Sequence, residues 1–375
     1  MTRVPIFQIR ADGSDTPLGE WVHEEHRLVL SRPGFPLFPP GEHVLGSELP
    51  WVFWDMCPTG YMGRSFFRRV HELALPPDPQ LWSARDALRA LSHFGQDLSG
   101  NLIVGDASLA RWHGLRQSRQ QLPPRAAVTS ERMTAIVDEH LAQLEGPPGG
   151  NAAPSSLGGE RPKFIQWNPD GADELVKFSP PRSTLLGQRW WDLLHVEELC
   201  SAVLRAHGYC AVEARTERAG ERALLFVRRF DRRPGFGRRG ATTLYWYAME
   251  RLGDPAVSAP QVVDVLVADG HLASDDGTTV AQVHEFSAAI GNNDAHLGNY
   301  GLVFDDDGAT ELAPFFDILP MALAPRNDEL PDSRLVPLKT QRRHLPMVDD
   351  LIARVVAQPH VSREFVTTWL QYLGR

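Results

Sequence analysis

Cysteine is scarce: Cys57, Cys200 and Cys210 are the only three in 375 residues. They are too few and too scattered for a disulfide framework or a paired zinc knuckle, and this usage suits a reducing compartment. An excess of basic charge is also missing. Lys plus Arg is 38 against 47 for Asp plus Glu, a net charge of −9, so the chain is not built to grip nucleic acid with its whole surface and only a local basic patch is open to that role. No apolar run approaches the ~20 residues needed to span a bilayer. The opening MTRVPIFQIRADGSD lacks the apolar core and small-residue cleavage site of a secretory signal. The expectation is a cytoplasmic protein without membrane contact. Internal repeats and low-complexity tracts are absent too. What is present, 42% apolar and 23% charged residues, is ordinary for a globular protein, and the length suggests two folded units or one large bilobal one.

Proline and glycine punctuate the chain. Residues 1–45 read as short strands and turns, VPIFQIRA and then HRLVLS, and four prolines within Pro33–Pro40 forbid a helix there. Helical patterns follow at YMGRSFFRRVHELAL and at SARDALRALSHFGQ, the second with Ser83 as N-cap, and LSGNLIVGD reads as a strand between turns. Residues 130–144 return to helical period, and the chain then breaks into EGPPGGNAAPSSLGGERPKF, which places a boundary near residue 146. Beyond it, KFIQW, ELVKFS and ERALLFVRRFD read as strands, with the helix LLHVEELCSAVLRAHG between the last two ending at Gly208. From Leu244 onward helices dominate, and the polar loop NNDAHLGN leads into a hairpin, YGLVFDDDGATELAPFFD. The expected segments are 1–145, 146–235 and a mainly helical 236–375.

The sharpest feature lies at residues 290–320. Asp294 and Asn299 stand five apart in the polar loop, and the hairpin that turns at DDDG delivers Asp317 after an apolar strand. Phosphoryl transfer from ATP needs these groups. One carboxylate orients the acceptor hydroxyl and receives its proton, an amide or carboxylate oxygen binds Mg²⁺, and a second carboxylate holds the metals that bridge the phosphates. The spacing D-x4-N followed by a hairpin and a metal-binding Asp is how protein-kinase-like folds assemble them. Asp294 is thus the candidate catalytic residue, with His296 beside it to brace it or bond a phosphate, and Asn299 and Asp317 are the candidate metal ligands. The plainer alternative is that Asn and Asp fill loops because they make Asx turns.

Upstream, Lys177 sits inside the strand ELVKFS. It is either an exposed sheet-face lysine or a phosphate-gripping one paired with a helical carboxylate. Glu197 is the first choice of partner and Glu198 the second, since two adjacent helical residues point about 100° apart. The loop SSLGGERPKF is by default a flexible linker. Its functional reading is a phosphate cover in which Gly158 and Gly159 allow close backbone approach, with Ser155 and Ser156 at its mouth as candidate phosphorylation sites. The run FVRRFDRRPGFGRR sets Arg228, Arg229, Arg232, Arg233, Arg238 and Arg239 around one carboxylate, Asp231. Such a run usually makes a solvated face with ion pairs. Two sharper readings are a hinge whose backbone at residues 228–230 faces an adenine, and a surface for an anionic partner such as tRNA, DNA or a phosphoserine.

Assembled, these residues resemble the HipA family of bacterial serine/threonine kinases, the toxins of toxin–antitoxin pairs, over most of residues 40–320. SSLGGERPKF is similar to the family's Ser-x-x-Gly-x-x-x-Lys phosphate loop at Ser156, Gly159 and Lys163, and ELVKF to its lysine strand. VRRFDRR is similar to its hinge strand, with Arg228 in place of the usual acidic residue; IGNNDAHLGN is similar to its catalytic loop and APFFDILP to its metal-binding P-F-Y-D-I. LPWVFWDMCPTGYMGR and LSHFGQDLSGNLIVGD are similar to the companion subdomain of the HipH-like branch. The resemblance implies an α+β, bilobal protein-kinase-like fold with an N-terminal α/β subdomain and a mainly helical C-terminal lobe. Asp294 would be its catalytic carboxylate, Asn299 and Asp317 its Mg²⁺ ligands, and Lys177, Lys163, Glu197, Arg228 and Phe230 its ATP-site residues. Ser155 or Ser156 would be an autophosphorylation site. The implied substrate is a translation enzyme such as an aminoacyl-tRNA synthetase. The implied partner is a small helix-turn-helix antitoxin, with DNA reached only through it. Two alternatives stand beside this: a catalytically weak kinase fold used as a binding or antitoxin module, and a nuclease using Asp294, Asn299 and Asp317 as its metal site with the arginine run on DNA phosphates.

Overall fold

The computed structural model describes residues 2–69, 71–76, 78–122, 129–145, 161–327, 329–331, 335–338 and 345–375. Along the chain run β1 (Arg3–Ile9), β2 (Asp15–Val22), β3 (Arg27–Leu30), β4 (Gly41–Val44), α1 (Trp51–Met56), α2 (Gly60–Arg69), α3 (Ala84–Phe94), β5 (Leu102–Val104), α4 (Asp106–Arg119) and α5 (Ser130–Glu145). Then come β6 (Lys163–Gln166), β7 (Glu174–Phe178), α6 (Leu185–Ala206), β8 (Ala214–Ala219), β9 (Arg222–Arg228), β10 (Gly240–Thr243) and α7 (Leu244–Leu252). The chain ends with α8 (Ala259–Ala268), α9 (Ser274–Ala289), β11 (Gly301–Phe304), β12 (Thr310–Leu312), α10 (Pro346–Ala357) and α11 (Arg363–Leu373). The fold class is α+β. None of the helices among the described residues is long and apolar enough to cross a membrane.

Two compact units interleave along the sequence. The first comprises Met1–Glu174, Arg229–Val257 and Gly301–Ala313, and the second Leu175–Arg228, Ser258–Tyr300 and Pro314–Arg375.

The first unit is built on an antiparallel sheet of order β4-β3-β2-β1-β5. Alternation drives it: Val4 and Ile6 of β1 and Leu28 and Leu30 of β3 turn inward, while the residues between them reach solvent. Ile9 and Ile103 pack with Trp112 and Phe236 into one core cluster. Helix α3 begins where its sequence says. The Ser83 hydroxyl accepts from the Asp86 N–H at 3.2 Å, and the Asp86 carboxylate accepts from the Ser83 N–H at 3.1 Å, a capping box. The antiparallel trio β10-β11-β12, which contains the DDDG hairpin, also belongs to this unit.

In the second unit, strands β7, β9 and β8 lie side by side in that order, β8 and β9 joined as a tight hairpin. Helix α6 starts at Leu185, eight residues before the LLHVEELC pattern, because Thr184 caps it by accepting from the Gly187 N–H at 3.0 Å. It is apolar on most sides, with Trp190, Trp191, Leu194, Val196, Cys200 and Val203 all buried, as a helix enclosed by its neighbours must be. Its carboxylate Asp192 accepts from the Ser362 N–H at 2.8 Å and from its hydroxyl at 2.6 Å, which ties α6 to the start of α11.

Candidate active site

Lys177 lies in the buried stretch of β7, not on an exposed face; only 7% of the residue reaches solvent. A buried ammonium requires carboxylates. Its Nζ donates to Glu197 Oε1 at 2.7 Å and to Asp317 Oδ1 at 2.6 Å. Burial pulls the lysine's pKa down, but the Asp317 and Glu197 carboxylates outweigh burial and hold it above the ordinary lysine value. The choice between the two helical glutamates is settled by rotation. Glu198 turns away to β8, where its carboxylate accepts from the Thr216 N–H at 2.9 Å and from that residue's hydroxyl.

Asp317 has a left-handed backbone, φ 58°, a conformation few non-glycine residues take without a structural reason. The segment leading into it is fixed by the Phe315 N–H donating to Cys210 O at 2.8 Å and the Val212 N–H donating to Phe315 O at 3.0 Å.

The Asp294 loop leaves α9 through Gly291, whose φ is +89° and whose α-carbon faces the Tyr372 ring so closely that a Cβ would meet it at 2.5 Å. Asn292, a residue the sequence reasoning did not single out, builds the turn. Its Nδ2 donates to Ser287 Oγ at 2.8 Å and its Oδ1 accepts from the Asp294 N–H at 3.1 Å. An Asx turn beside a buried serine was the signal to look for. The Asp294 carbonyl accepts from the Asn299 Nδ2 at 2.8 Å and from the His296 N–H at 2.9 Å. The Asp294 carboxylate is left exposed and the Asn299 Oδ1 is left as that amide's acceptor. The His296 imidazole accepts from the Gly298 N–H at 3.0 Å, capping its own turn instead of bracing the Asp294 side chain.

Two ties hold the Asp294 loop against the Asp317 segment. At one end the Tyr300 and Phe315 rings meet edge to face, 6.4 Å between centroids. At the other, the Ala322 N–H donates to Gly291 O at 2.9 Å. Trp369 Nε1 anchors the loop's root by donating to Ile290 O at 3.0 Å, and Arg189 of α6 donates to Leu323 O at 2.9 Å. The second unit thus brings Lys177, Glu197 and Asp317 into direct contact and laces Asp294, His296 and Asn299 to the segment that carries Asp317.

The other candidates fall elsewhere. Ser155, Ser156, Gly158 and Gly159 lie outside the described residues. Lys163, buried at the start of β6, and Phe230 belong to the first unit. Arg228 ends β9 in solvent, 3.1 Å from Glu213, which is also exposed. The solvated-face reading of the arginine run is corrected: Arg229, Arg232 and Arg238 are buried, because Asp97 and Asp173, distant in sequence, join Asp231 as their partners. Those three are therefore closed to tRNA, DNA or a phosphoserine, whereas Arg228 and Arg233 stay exposed.

Comparison with known proteins matches residues 155–367, more than half of the chain, to the HipA-like C-terminal domain. The chain belongs to the HipA-like family. Residues 1–113 match the middle domain of YjjJ-like toxins. Toxin YjjJ of Escherichia coli (strain K12) is 28% identical over 339 residues, 87% of this chain and 74% of the relative. Among solved structures, HipA of the Shewanella oneidensis MR-1 toxin–antitoxin system, in a complex with HipB and operator DNA, superposes with a TM-score of 0.60 at 15% identity, covering 98% of this chain and 95% of that one. The HipA-like architecture expected from the motifs is the fold observed.

The residues present suit the groups this family's kinase reading implies. The Asp317 carboxylate and the Asn299 Oδ1 are hard oxygen donors of the kind Mg²⁺ takes. Lys177 has three N–H donors and spends two on carboxylates, leaving one for a phosphate oxygen. Among the described residues no three His, Cys, Asp or Glu side chains gather into a ready-made metal centre.

Proposed function

We propose that the chain is an ATP- and Mg²⁺-dependent serine/threonine protein kinase acting as a HipA-like toxin. The observation that carries this is the ammonium of Lys177 held between Glu197 and Asp317, the pairing a kinase uses to set its phosphate-binding lysine. When bound, ATP supplies the transferable phosphoryl group and Mg²⁺ offsets the phosphates' charge. Glu197 orients Lys177, and Lys177 directs its remaining N–H at a phosphate oxygen. Asn299 and Asp317 offer the oxygens that hold the metal. The exposed Asp294 carboxylate orients the acceptor hydroxyl and takes its proton at Oδ, while Asn292 and Asn299 fix the loop's backbone around it.

In this reading Gly158, Gly159, Lys163, Arg228 and Phe230 also take part in binding the nucleotide. Ser155 or Ser156 is the autophosphorylation site. The segments 1–145, 146–235 and 236–375 correspond to companion subdomain, kinase N-lobe and C-lobe. The substrate is a translation enzyme such as an aminoacyl-tRNA synthetase in the cytoplasm, and a helix-turn-helix antitoxin restrains the toxin and carries it to DNA. The relative named as a toxin and the HipA structure with HipB and operator DNA support this part of the reading.

Incubation with labelled ATP and Mg²⁺ tests it. Label is expected on the wild-type chain and lost in Asp294→Ala and Asp317→Ala; label retained in both overturns the assignment. Ser155→Ala and Ser156→Ala, made singly, then identify the modified hydroxyl.

A further inference from the structure

In the first unit the guanidiniums of Arg119, Arg229, Arg232 and Arg238 are buried against three aspartates, a closed junction away from solvent. The second unit holds Asn299 and Asp317, and their spacing raises a question. Residues Gly301–Ala313 between them belong to the first unit, whereas Tyr300 and the segment from Pro314 belong to the second. The chain leaves the second unit just after Asn299 and returns just before Asp317. Contacts within that unit therefore have to hold the two ends together.

Those contacts converge on Phe315, two residues before Asp317. Its N–H donates to Cys210 O at 2.8 Å and its carbonyl accepts from the Val212 N–H at 3.0 Å, which fixes its backbone. Its ring meets that of Tyr300, the residue after Asn299, with centroids 6.4 Å apart and planes at 83°. Both residues are only 5% exposed. Helix α9 holds the far end of the tyrosine. The Tyr300 hydroxyl and His284 Nδ1 are hydrogen-bonded at 3.1 Å, with the two rings 6.1 Å apart. Burial keeps the His284 imidazole below its ordinary pKa, so the hydroxyl meets a neutral ring near pH 7. The same helix supports the other side of Phe315. Gln282 Oε1 accepts from the Tyr209 hydroxyl at 2.8 Å, and Tyr209 precedes the cysteine whose carbonyl holds the Phe315 N–H. Helix α9 is thus a common reference for the segments that carry Asn299 and Asp317.

We infer that His284 and Tyr300 are positioning residues for the divalent metal of the proposed kinase: the Tyr300 ring, held by His284 and set against Phe315, fixes the spacing of Asn299 and Asp317 and makes the site selective for Mg²⁺. The inference rests on the kinase reading above. Mg²⁺ requires near-octahedral oxygens at about 2.0–2.1 Å, whereas Ca²⁺ takes looser shells at about 2.3–2.6 Å. A pair of ligands whose spacing slackens loses the smaller, stricter ion first. Residues that served packing alone would, when altered, weaken the complexes of both ions alike.

Calorimetric titration of a non-hydrolysable ATP analogue onto the full chain, in excess Mg²⁺ and in excess Ca²⁺, tests this, with melting curves to show that each variant folds. The wild type is expected to bind more tightly with Mg²⁺. Tyr300→Phe keeps the ring and removes the hydroxyl, and His284→Leu removes the hydroxyl's partner. Each is expected to lower the ratio of Mg²⁺-supported to Ca²⁺-supported affinity about 3–10-fold, the size of one hydrogen bond. His284→Gln, whose amide can still meet the hydroxyl, is expected to keep most of that ratio. A wild type that prefers Ca²⁺, or a ratio unchanged in Tyr300→Phe and His284→Leu even where overall affinity falls, overturns the inference and leaves the kinase reading standing. No binding of the analogue to the wild type with either ion overturns that reading and the inference with it. If His284→Leu does not fold, Tyr300→Phe decides alone.

Discussion

The molecule contains two ion-pair clusters that differ in balance and in closure. In the second unit one ammonium faces two carboxylates, and Asp317, at 33% side-chain exposure, keeps one side toward solvent. In the first unit four guanidiniums face three carboxylates, and none of the seven side chains is more than 6% exposed. An anionic, open cluster suits a site that gains a metal and a polyphosphate during its work. A cationic, closed one suits a junction that never opens. Charge count and exposure together separate chemistry from architecture, whereas a list of ion pairs would not.

Breaking each cluster should therefore fail in a different assay. The largest effect is expected from Asp317→Ala or Lys177→Met, which should lower phosphoryl transfer by about a thousandfold or more; steady-state kinetics alongside a melting curve would show activity lost with the fold kept. Next comes Asp231→Ala. It strands Arg229 in the interior, leaves Arg232 only Asp97 as a carboxylate partner, and is expected to cost about 3–5 kcal/mol by denaturant unfolding.

The same cluster sets an acid limit. Burial pushes Asp231 up, but Arg229 and Arg232 outweigh it and hold its pKa well below the usual carboxylate range. A depressed folded value means that its stabilisation is complete above the unfolded value of about 4 and is lost only as pH falls through the lower, folded one. Tryptophan fluorescence on acid titration is expected to report a first unit that persists below pH 4 in the wild type and fails earlier in Asp231→Asn.

A finer contrast lies on α6. Glu197→Gln is expected to reduce kcat/KM by about 10–100-fold through the misplaced Lys177, while Glu198→Gln, whose carboxylate bonds Thr216 of β8, should leave the rate near wild type. The smallest effect belongs to Arg228→Ala. Its exposed pair with Glu213 is expected to contribute less than about 1 kcal/mol to stability.

Local signals carried far in this chain. The runs VPIFQIRA and HRLVLS gave β1 and β3, Ser83 gave the start of α3, and the polar spacing between Asp294 and Asn299 marked the loop that the structure ties to the Asp317 segment. What stayed hidden depended on distance along the chain. One neighbouring carboxylate is visible in FVRRFDRR, but Asp97 lies 135 residues from Arg232 and Asp173 lies 54 from Arg119, so the run reads as a solvated face until the fold closes around it. Lys177 was ambiguous for a related reason: a lone strand lysine does not reveal which face it occupies. Glu197 and Glu198 were separable only once the helix had a known rotation against β7 and β8. The true start of α6 escaped because the Trp190–Trp191 pair blurs helical period, and Asn292 because an Asx turn looks the same whether it supports a site or merely a loop.

The central claim is that Lys177, steered by Glu197, meets the phosphates of a nucleotide. Calorimetric titration of ATP with Mg²⁺ onto the wild type and Lys177→Met measures this most directly. A charge-assisted contact of this kind is expected to leave the variant about 10–100-fold weaker in nucleotide affinity with its fold intact. Equal affinity in the two chains would contradict the account.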